Sequence, residues 1–128
     1  MLKIATLSLA LVSCTTAFAE NGHSHAAANG GQIVTIGVYE VELVAKPTDV
    51  ELFLTDLKDN KVEAKAFSAS AVVLARSNKR RTIELVPAGG NRLSGKYDFA
   101  VEGKFRAVVS LKRNGSAVGK GRYSLAVK

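Results

Sequence analysis

Most of this sequence consists of short runs of strand-forming residues separated by turn residues. The clearest run places Tyr39, Val41 and Leu43 on one side and the two glutamates Glu40 and Glu42 on the other. This period of two predicts an antiparallel strand whose apolar side faces a core and whose glutamates form a solvated face. Helical periodicity is nearly absent, so we predict an all-β domain.

The remaining runs extend this prediction along the chain. They predict strands at residues 50–55, 62–67, 71–75, 82–86, 97–101, 105–111 and 118–127. Asp59-Asn60 predicts a hairpin turn, and Asn114-Gly115 predicts a type I′ hairpin turn because both residues tolerate positive φ. About seven to nine short strands are typical of an immunoglobulin-like antiparallel β-sandwich. Trp is absent, so we expect aliphatic packing in its core.

The N-terminus has the pattern of an export signal. Lys3 precedes an apolar run at residues 4–12, and Ala17-Phe18-Ala19 offers small residues at the positions that a signal peptidase reads. The run is much shorter than the ~20 residues that span a bilayer. We therefore predict a signal peptide at residues 1–19, a flexible His-containing leader at 20–31, a β-sandwich domain at 32–128 and a periplasmic or secreted location.

Cys14 leaves a second fate open. Leu11-Val12-Ser13-Cys14 also resembles a lipobox, in which the cysteine would carry a lipid anchor. Cleavage before Glu20 would instead leave a mature chain without cysteine, and so without a disulfide, a catalytic thiolate or a thiolate metal ligand.

The chain is basic, with 18 Lys and Arg against 11 Asp and Glu and a formal charge of +7. Such a charge favours acidic partners or anionic surfaces. Export and the lack of a nucleic-acid-binding motif argue against nucleic acid. Four cations cluster at one predicted hairpin tip: Arg76, Lys79, Arg80 and Arg81. They predict either a docking patch or a charged edge that prevents strand-to-strand aggregation.

Both histidines lie in the leader, as His23-Ser24-His25. This spacing in an extended chain allows both rings to meet one Cu²⁺, Ni²⁺ or Zn²⁺ ion. Two ligands do not complete a site, because a catalytic zinc needs three protein ligands and a structural one needs four. The alternative is that these histidines bind nothing. Since the predicted fold holds no histidine as a base, we predict that the protein is not an enzyme.

Longer segments resemble a known exported module. They are His23-x-His25, Asn29-Gly30-Gly31-Gln32-Ile33-Val34 and Gly37-Val38-Tyr39-Glu40-Val41-Glu42-Leu43. They are similar to the small periplasmic domain that occurs alone or near the N-terminus of adaptor subunits of heavy-metal efflux pumps. The likeness extends over most of residues 23–127. It implies a β-sandwich that handles or senses a metal cation, with an envelope efflux-system protein as a partner.

One departure concerns the ligands. The family's histidine before Gly-Gly is Asn29 here, and an amide is a poor ligand for borderline metals. The resemblance then implies His23 and His25 as ligands of a weakly bound divalent cation (Cu, Zn or Ni), with Glu42 added from the first long strand. Gly30 and Gly31 would allow close approach of the leader to the sheet. The alternative is a non-catalytic protein-interaction module of the cell envelope without a metal role.

Overall fold

The computed structural model describes residues 27–128, which form eight strands and two short 3₁₀ helices. The strands are β1 (Gln32–Ile36), β2 (Tyr39–Ala45), β3 (Asp49–Asp56), β4 (Phe67–Leu74), β5 (Arg80–Pro87), β6 (Arg92–Lys96), β7 (Phe105–Arg113) and β8 (Ser116–Leu125). The 3₁₀ helices Ala64–Ala66 and Arg76–Asn78 precede β4 and β5. The all-β prediction is confirmed, and the number of strands lies within the predicted range.

The strands form one sheet in the order β1-β2-β3-β6-β5-β4-β7-β8, and every neighbouring pair is antiparallel. The edge strands β1 and β8 lie side by side, and the backbone N–H of Ser124 donates to Gln32 Oε1 over 2.8 Å. The sheet is therefore nearly closed. The predicted antiparallel architecture is confirmed in a barrel-like form rather than as two clearly separate sheets.

Strand β5 connects the two halves of this sheet. Its residues up to Leu85 pair with β4, whereas only Val86 and Pro87 pair with β6. Gly95 of β6 lies at this change of partner. A Cβ on Gly95 would be 2.5 Å from the carbonyl oxygen of Glu84 and 2.8 Å from Ile83 Cγ2. The lack of a side chain at position 95 thus lets β5 pass close over β6.

The interior is filled by the residues that alternate with the outward-facing ones. Fully buried side chains include Phe105, Ile36, Leu43, Leu52, Leu54, Leu85, Leu93 and Leu111. The predicted aliphatic packing is confirmed. Tyr123 of β8 crosses this interior and donates a 2.7 Å hydrogen bond to the carbonyl oxygen of Val41 in β2. Burial raises the pKa of the Tyr123 hydroxyl above its ordinary value.

The local turn chemistry agrees with the sequence at two hairpins. Asn114 and Gly115 have φ values of 49° and 80°, and they connect β7 to β8. Ser77 and Asn78 have φ values of 64° and 58° between β4 and β5. The predicted Asn114-Gly115 turn is confirmed, and the chain also turns at the predicted hairpin tip that carries Arg76, Lys79, Arg80 and Arg81.

Two predicted strands are wrong, and two observed strands, β1 and β6, lie outside the predicted ones. Residues 62–67 contain the 3₁₀ helix Ala64–Ala66 rather than a hairpin strand, and only Lys61 makes an isolated bridge to Thr55. Residues 97–101 form no strand, although Tyr97 is buried. Strand β6 lies just before them. This segment is a strand because it pairs with β3, although its own residues have low strand propensity.

Candidate functional site

A cleft of about 390 Å³ opens on the outer face of β1, β2 and β3. Its lining combines acidic, amide, basic and apolar side chains: Ala28, Asn29, Ile33, Glu40, Glu42, Phe53, Thr55, Asp59, Lys61 and Asn91. Three carboxylates therefore face one small space together with a single lysine. The cleft thus brings several polar groups to one cavity and is the candidate site.

Strand register sets the floor of the cleft. Ile33, Glu42 and Phe53 lie opposite one another on β1, β2 and β3. Glu40 lies opposite Thr55 in the neighbouring row. Because these residues alternate with core residues, all of their side chains point outward. The glutamates thus stand beside apolar neighbours, on the outer surface of the sheet.

Glu42 anchors the end of the predicted leader to β2. Its Oε2 accepts hydrogen bonds from the backbone N–H of Gly31 at 2.8 Å and of Asn29 at 3.0 Å. Its Oε1 accepts one from Asn29 Nδ2 at 3.0 Å. Lys128 Nζ donates to the carbonyl oxygen of Asn29 at 2.9 Å. Residues 29–31 are consequently held against the sheet beside the cleft.

Gly31 makes this contact sterically feasible. A Cβ on Gly31 would lie 2.0 Å from the carbonyl oxygen of Leu43, which is far inside van der Waals contact. Gly30 has a φ of 72°, a conformation that favours glycine. The expected close approach of the Gly-Gly segment to the sheet is confirmed.

The predicted solvated face of β2 is wrong. Glu40 is 5% exposed and Glu42 is 6% exposed, and all seven residues of β2 are buried. The reason is that residues far away in sequence surround the outer side of the strand, including Asn29, Lys61 and Asn91. A period of two identifies the two sides of a strand, but it does not show whether a second layer covers the polar one.

The rim of the cleft is a loop ordered by Asp56. Its Oδ1 accepts the backbone N–H groups of Lys58 at 2.8 Å and Asn60 at 3.0 Å. These hydrogen bonds, led by the one from Asn60, hold the pKa of Asp56 below its ordinary value. The loop carries Asp59 and Lys61 to the cleft. On the opposite side, Asn91 is fixed by its Nδ2 donating to the carbonyl oxygen of Leu54 at 3.0 Å.

Next to the cleft, Glu51 on the same outer face is paired with two cations. Lys46 Nζ lies 2.5 Å from Glu51 Oε1, and Arg92 Nη1 lies 3.2 Å from Glu51 Oε2. The Glu51 side chain is only 9% exposed. The hydrogen bond from Lys46 is the largest cause that lowers the pKa of Glu51, and Arg92 adds to it. This pairing links β3 to β6 and to the end of β2.

Replacing Glu51 with glutamine should lower the free energy of unfolding by about 2 kcal/mol at pH 7, since it removes the charge that both cations contact. Because folding lowers the pKa of Glu51, its contribution is present above the unfolded value of about 4.3 and is lost as pH falls through the folded value. The gap between wild type and variant in urea titrations should thus close as the pH is lowered below the unfolded value. Glu84→Gln, at an exposed strand position, is the matched control; a gap that persists unchanged at low pH would contradict this assignment.

Of the predicted metal ligands, only Glu42 lies in the described part of the chain. His23, His25, Cys14 and the predicted signal peptide lie outside the described residues. Within residues 27–128, no three His, Cys, Asp or Glu side chains converge in a geometry that would hold a metal ion. The sequence did not identify Asp59 and Asn91 as cleft residues. Its only signal at these positions was the turn-forming residues around them.

No family model matches the chain, and no curated protein matches it either. Over residues 27–128, none of the helices has the length and apolar character needed to cross a membrane.

Proposed function

We propose that this protein is an exported, non-catalytic accessory protein of metal-ion homeostasis that binds a divalent cation weakly where its leader meets the carboxylate-lined cleft. The observation that carries the proposal is the anchoring of Asn29 and Gly31 on Glu42. This contact fixes the end of the His-containing leader beside Glu40 and Asp59.

The short segment between the histidines and the cleft supports the proposal. Ala28 lines the cleft, and His25 is three residues before it. Covalent geometry limits the Cα of His25 to about 11 Å from that of Ala28, and the Cα of His23 to about 18 Å. Both imidazoles are therefore within reach of the cleft carboxylates.

The donor set fits a borderline divalent cation. Imidazole binds Cu²⁺, Ni²⁺ and Zn²⁺, and carboxylate oxygens complete such sites. Glu42 accepts hydrogen bonds from Asn29 and Gly31 and anchors the end of the leader beside the other cleft carboxylates. Glu40 and Asp59 are the cleft carboxylates that we assign to the cation beside His23 and His25.

Isothermal titration of the full chain with Cu²⁺, Ni²⁺ and Zn²⁺ tests this function. We expect measurable heats for the wild type and their loss in a His23→Ala/His25→Ala variant. Asn21→Ala/Ser24→Ala is the control, since it alters the same leader without removing an imidazole. Equal heats from the wild type and the double histidine variant would eliminate the proposal.

A further substitution tests the position of the site. The Nδ2 of Asn29 lies 3.0 Å from Glu42 Oε1, so histidine at position 29 would add an imidazole beside the anchor. Asn29→His should therefore raise the affinity for Zn²⁺, whereas Asn29→Gln should not. No gain with histidine would place the leader's ligands away from this cleft.

The alternative role is docking on an envelope efflux-system protein without a metal. The exposed hairpin tip between β4 and β5 favours it, because Lys79 and Arg80 project there and Arg76 makes only an exposed 3.6 Å ion pair with Glu102. Partner capture through this tip would survive EDTA. Capture that EDTA abolishes would count against the docking role.

A further inference from the structure

The outer face of β5, β4, β7 and β8 carries a second concentration of charge, opposite in sign to the cleft. Strand register places five exposed cations on it, which we call the basic face: Arg80, Arg106, Lys112, Lys120 and Arg122. Glu84 is the one carboxylate on the face. None of the five cations forms an ion pair with another residue in the range 27–128.

Register also shows which side chains lie beside one another on this face. Its central row across the four strands is Thr82, Val72, Val108 and Arg122. The row on one side holds Glu84, Ser70, Ser110 and Lys120. On the other side Arg80 lies opposite Leu74, and Arg106 lies opposite Ser124. Short side chains occupy most of the middle. Long Arg and Lys side chains therefore extend beyond them and present their charges outward.

We infer that the basic face binds the headgroup surface of an anionic lipid bilayer. Four strands spaced about 4.8 Å apart give a face at least 14 Å wide, with charges distributed over it rather than gathered at one point. None of its residues lines the carboxylate cleft. A broad distribution of cations that lie outside the cleft complements an extended anionic surface better than it complements a single small anion.

Other polyanions fit this face less well. Base stacking needs aromatic platforms, and the described rows contain none. Protein interfaces are anchored by aromatic and large apolar side chains, whereas the large apolar residues exposed on this outer face are two valines, Val72 at 40% and Val86 at 59%. Strands β4 and β7, in the middle of this face, are paired along both edges, so they offer no edge for an added strand.

Vesicle sedimentation with the full chain tests the inference. We expect binding to mixed phosphatidylcholine–phosphatidylglycerol vesicles to exceed binding to pure phosphatidylcholine vesicles and to weaken as salt rises. The phosphatidylcholine arm measures any apolar insertion by the N-terminal segment. The difference between the two arms therefore reports the electrostatic contribution. Equal binding to both vesicle types would overturn the inference.

Matched charge variants locate the surface. Arg106→Gln/Lys120→Gln/Arg122→Gln should lower the partition coefficient for the mixed vesicles about a hundredfold, since each cation near an anionic bilayer contributes about fivefold. Lys58→Gln/Lys65→Gln/Lys96→Gln removes the same charge from exposed positions outside the basic face and should have a much smaller effect. Equal losses in the two triple variants would show that net charge alone is responsible, and would overturn the assignment.

Two further measurements test the remaining alternative explanations. Lys120→Gln alone should lower partitioning about fivefold, so the test does not depend on the folding of the triple variant. Duplex DNA and an acidic polypeptide serve as competing polyanions at the same salt concentration. If either binds the chain while the mixed vesicles do not, the occupant of the basic face is that polyanion and the bilayer inference is wrong.

Discussion

Replacing Gly31 with valine should detach residues 29–31 from β2 and, with them, weaken the proposed cation site. A Cβ at this position would lie 2.0 Å from the carbonyl oxygen of Leu43, and that oxygen belongs to the paired backbone of β2. The leader must move, because β2 is held by β1 on one side and β3 on the other. Glu42 would then lose the hydrogen bonds that Gly31 and Asn29 donate to it.

The size of this effect follows from the contact that is lost. Steric overlap of this kind costs about 1–3 kcal/mol, which corresponds to a loss of hydrogen-exchange protection of roughly fivefold to 150-fold at the amides of positions 29 and 31. Ala28→Val is the control for hydrogen exchange, since Ala28 is exposed and the substitution adds two carbons to the same segment. Unchanged protection in the Gly31→Val variant would contradict the described packing of the leader.

Cation titration of the same variant separates two parts of the proposal. If affinity falls together with amide protection, the cleft carboxylates and the leader histidines act together. If protection falls but affinity does not, the leader binds the cation without the cleft, and the assignment of Glu40 and Asp59 is wrong. Glu42→Gln extends the comparison, because it weakens the anchor without introducing a clash.

Local patterns predicted the inner side of the fold well. Tyr39, Val41 and Leu43 are buried because alternation reflects strand geometry itself. Asn114-Gly115 forms its hairpin because the positive φ values required by the turn are a property of those two residues. Neither outcome depends on distant parts of the chain.

The missed features depend on partners far away in sequence. The burial of Glu40 and Glu42 results from segments around residues 29, 61 and 91, which no local pattern reveals. Residues 62–67 have strand-forming composition, but they have no continuous neighbouring strand to pair with. Strand β6 shows the reverse case, because pairing with β3 makes a strand from Arg92-Leu93-Ser94-Gly95-Lys96.

The distribution of charge also arises only in the fold. Carboxylates concentrate on the outer side of β2 and β3, and the five cations of the basic face lie on the other half of the sheet. Alternation sends both groups outward, but only strand order decides which strands are neighbours. A net charge read from composition therefore combines two surfaces with opposite preferences. Cation binding and bilayer binding can accordingly be tested with separate sets of variants.

Replacing Gly95 with valine should destabilise the whole domain, since Gly95 lies where β5 changes from one partner strand to another. Strand propensity alone predicts that valine would stabilise the domain, because glycine weakens a strand and valine favours it. The structure opposes this gain with a contact of 2.5 Å between a Cβ at position 95 and the backbone oxygen of Glu84. We expect a loss of about 3 kcal/mol in the free energy of unfolding and a fall in Tm on the order of 15 °C.

Ser68→Val on β4 supplies the control for this last prediction, because Ser68 is exposed and its substitution changes strand propensity without a clash. Its stability should match or slightly exceed that of the wild type. Thermal unfolding followed by circular dichroism shows whether each substitution raises or lowers Tm. A Gly95→Val variant as stable as the wild type would mean that β5 does not pass over β6 at this distance. The two halves of the sheet would then not be joined at the point where the nearly closed architecture requires it.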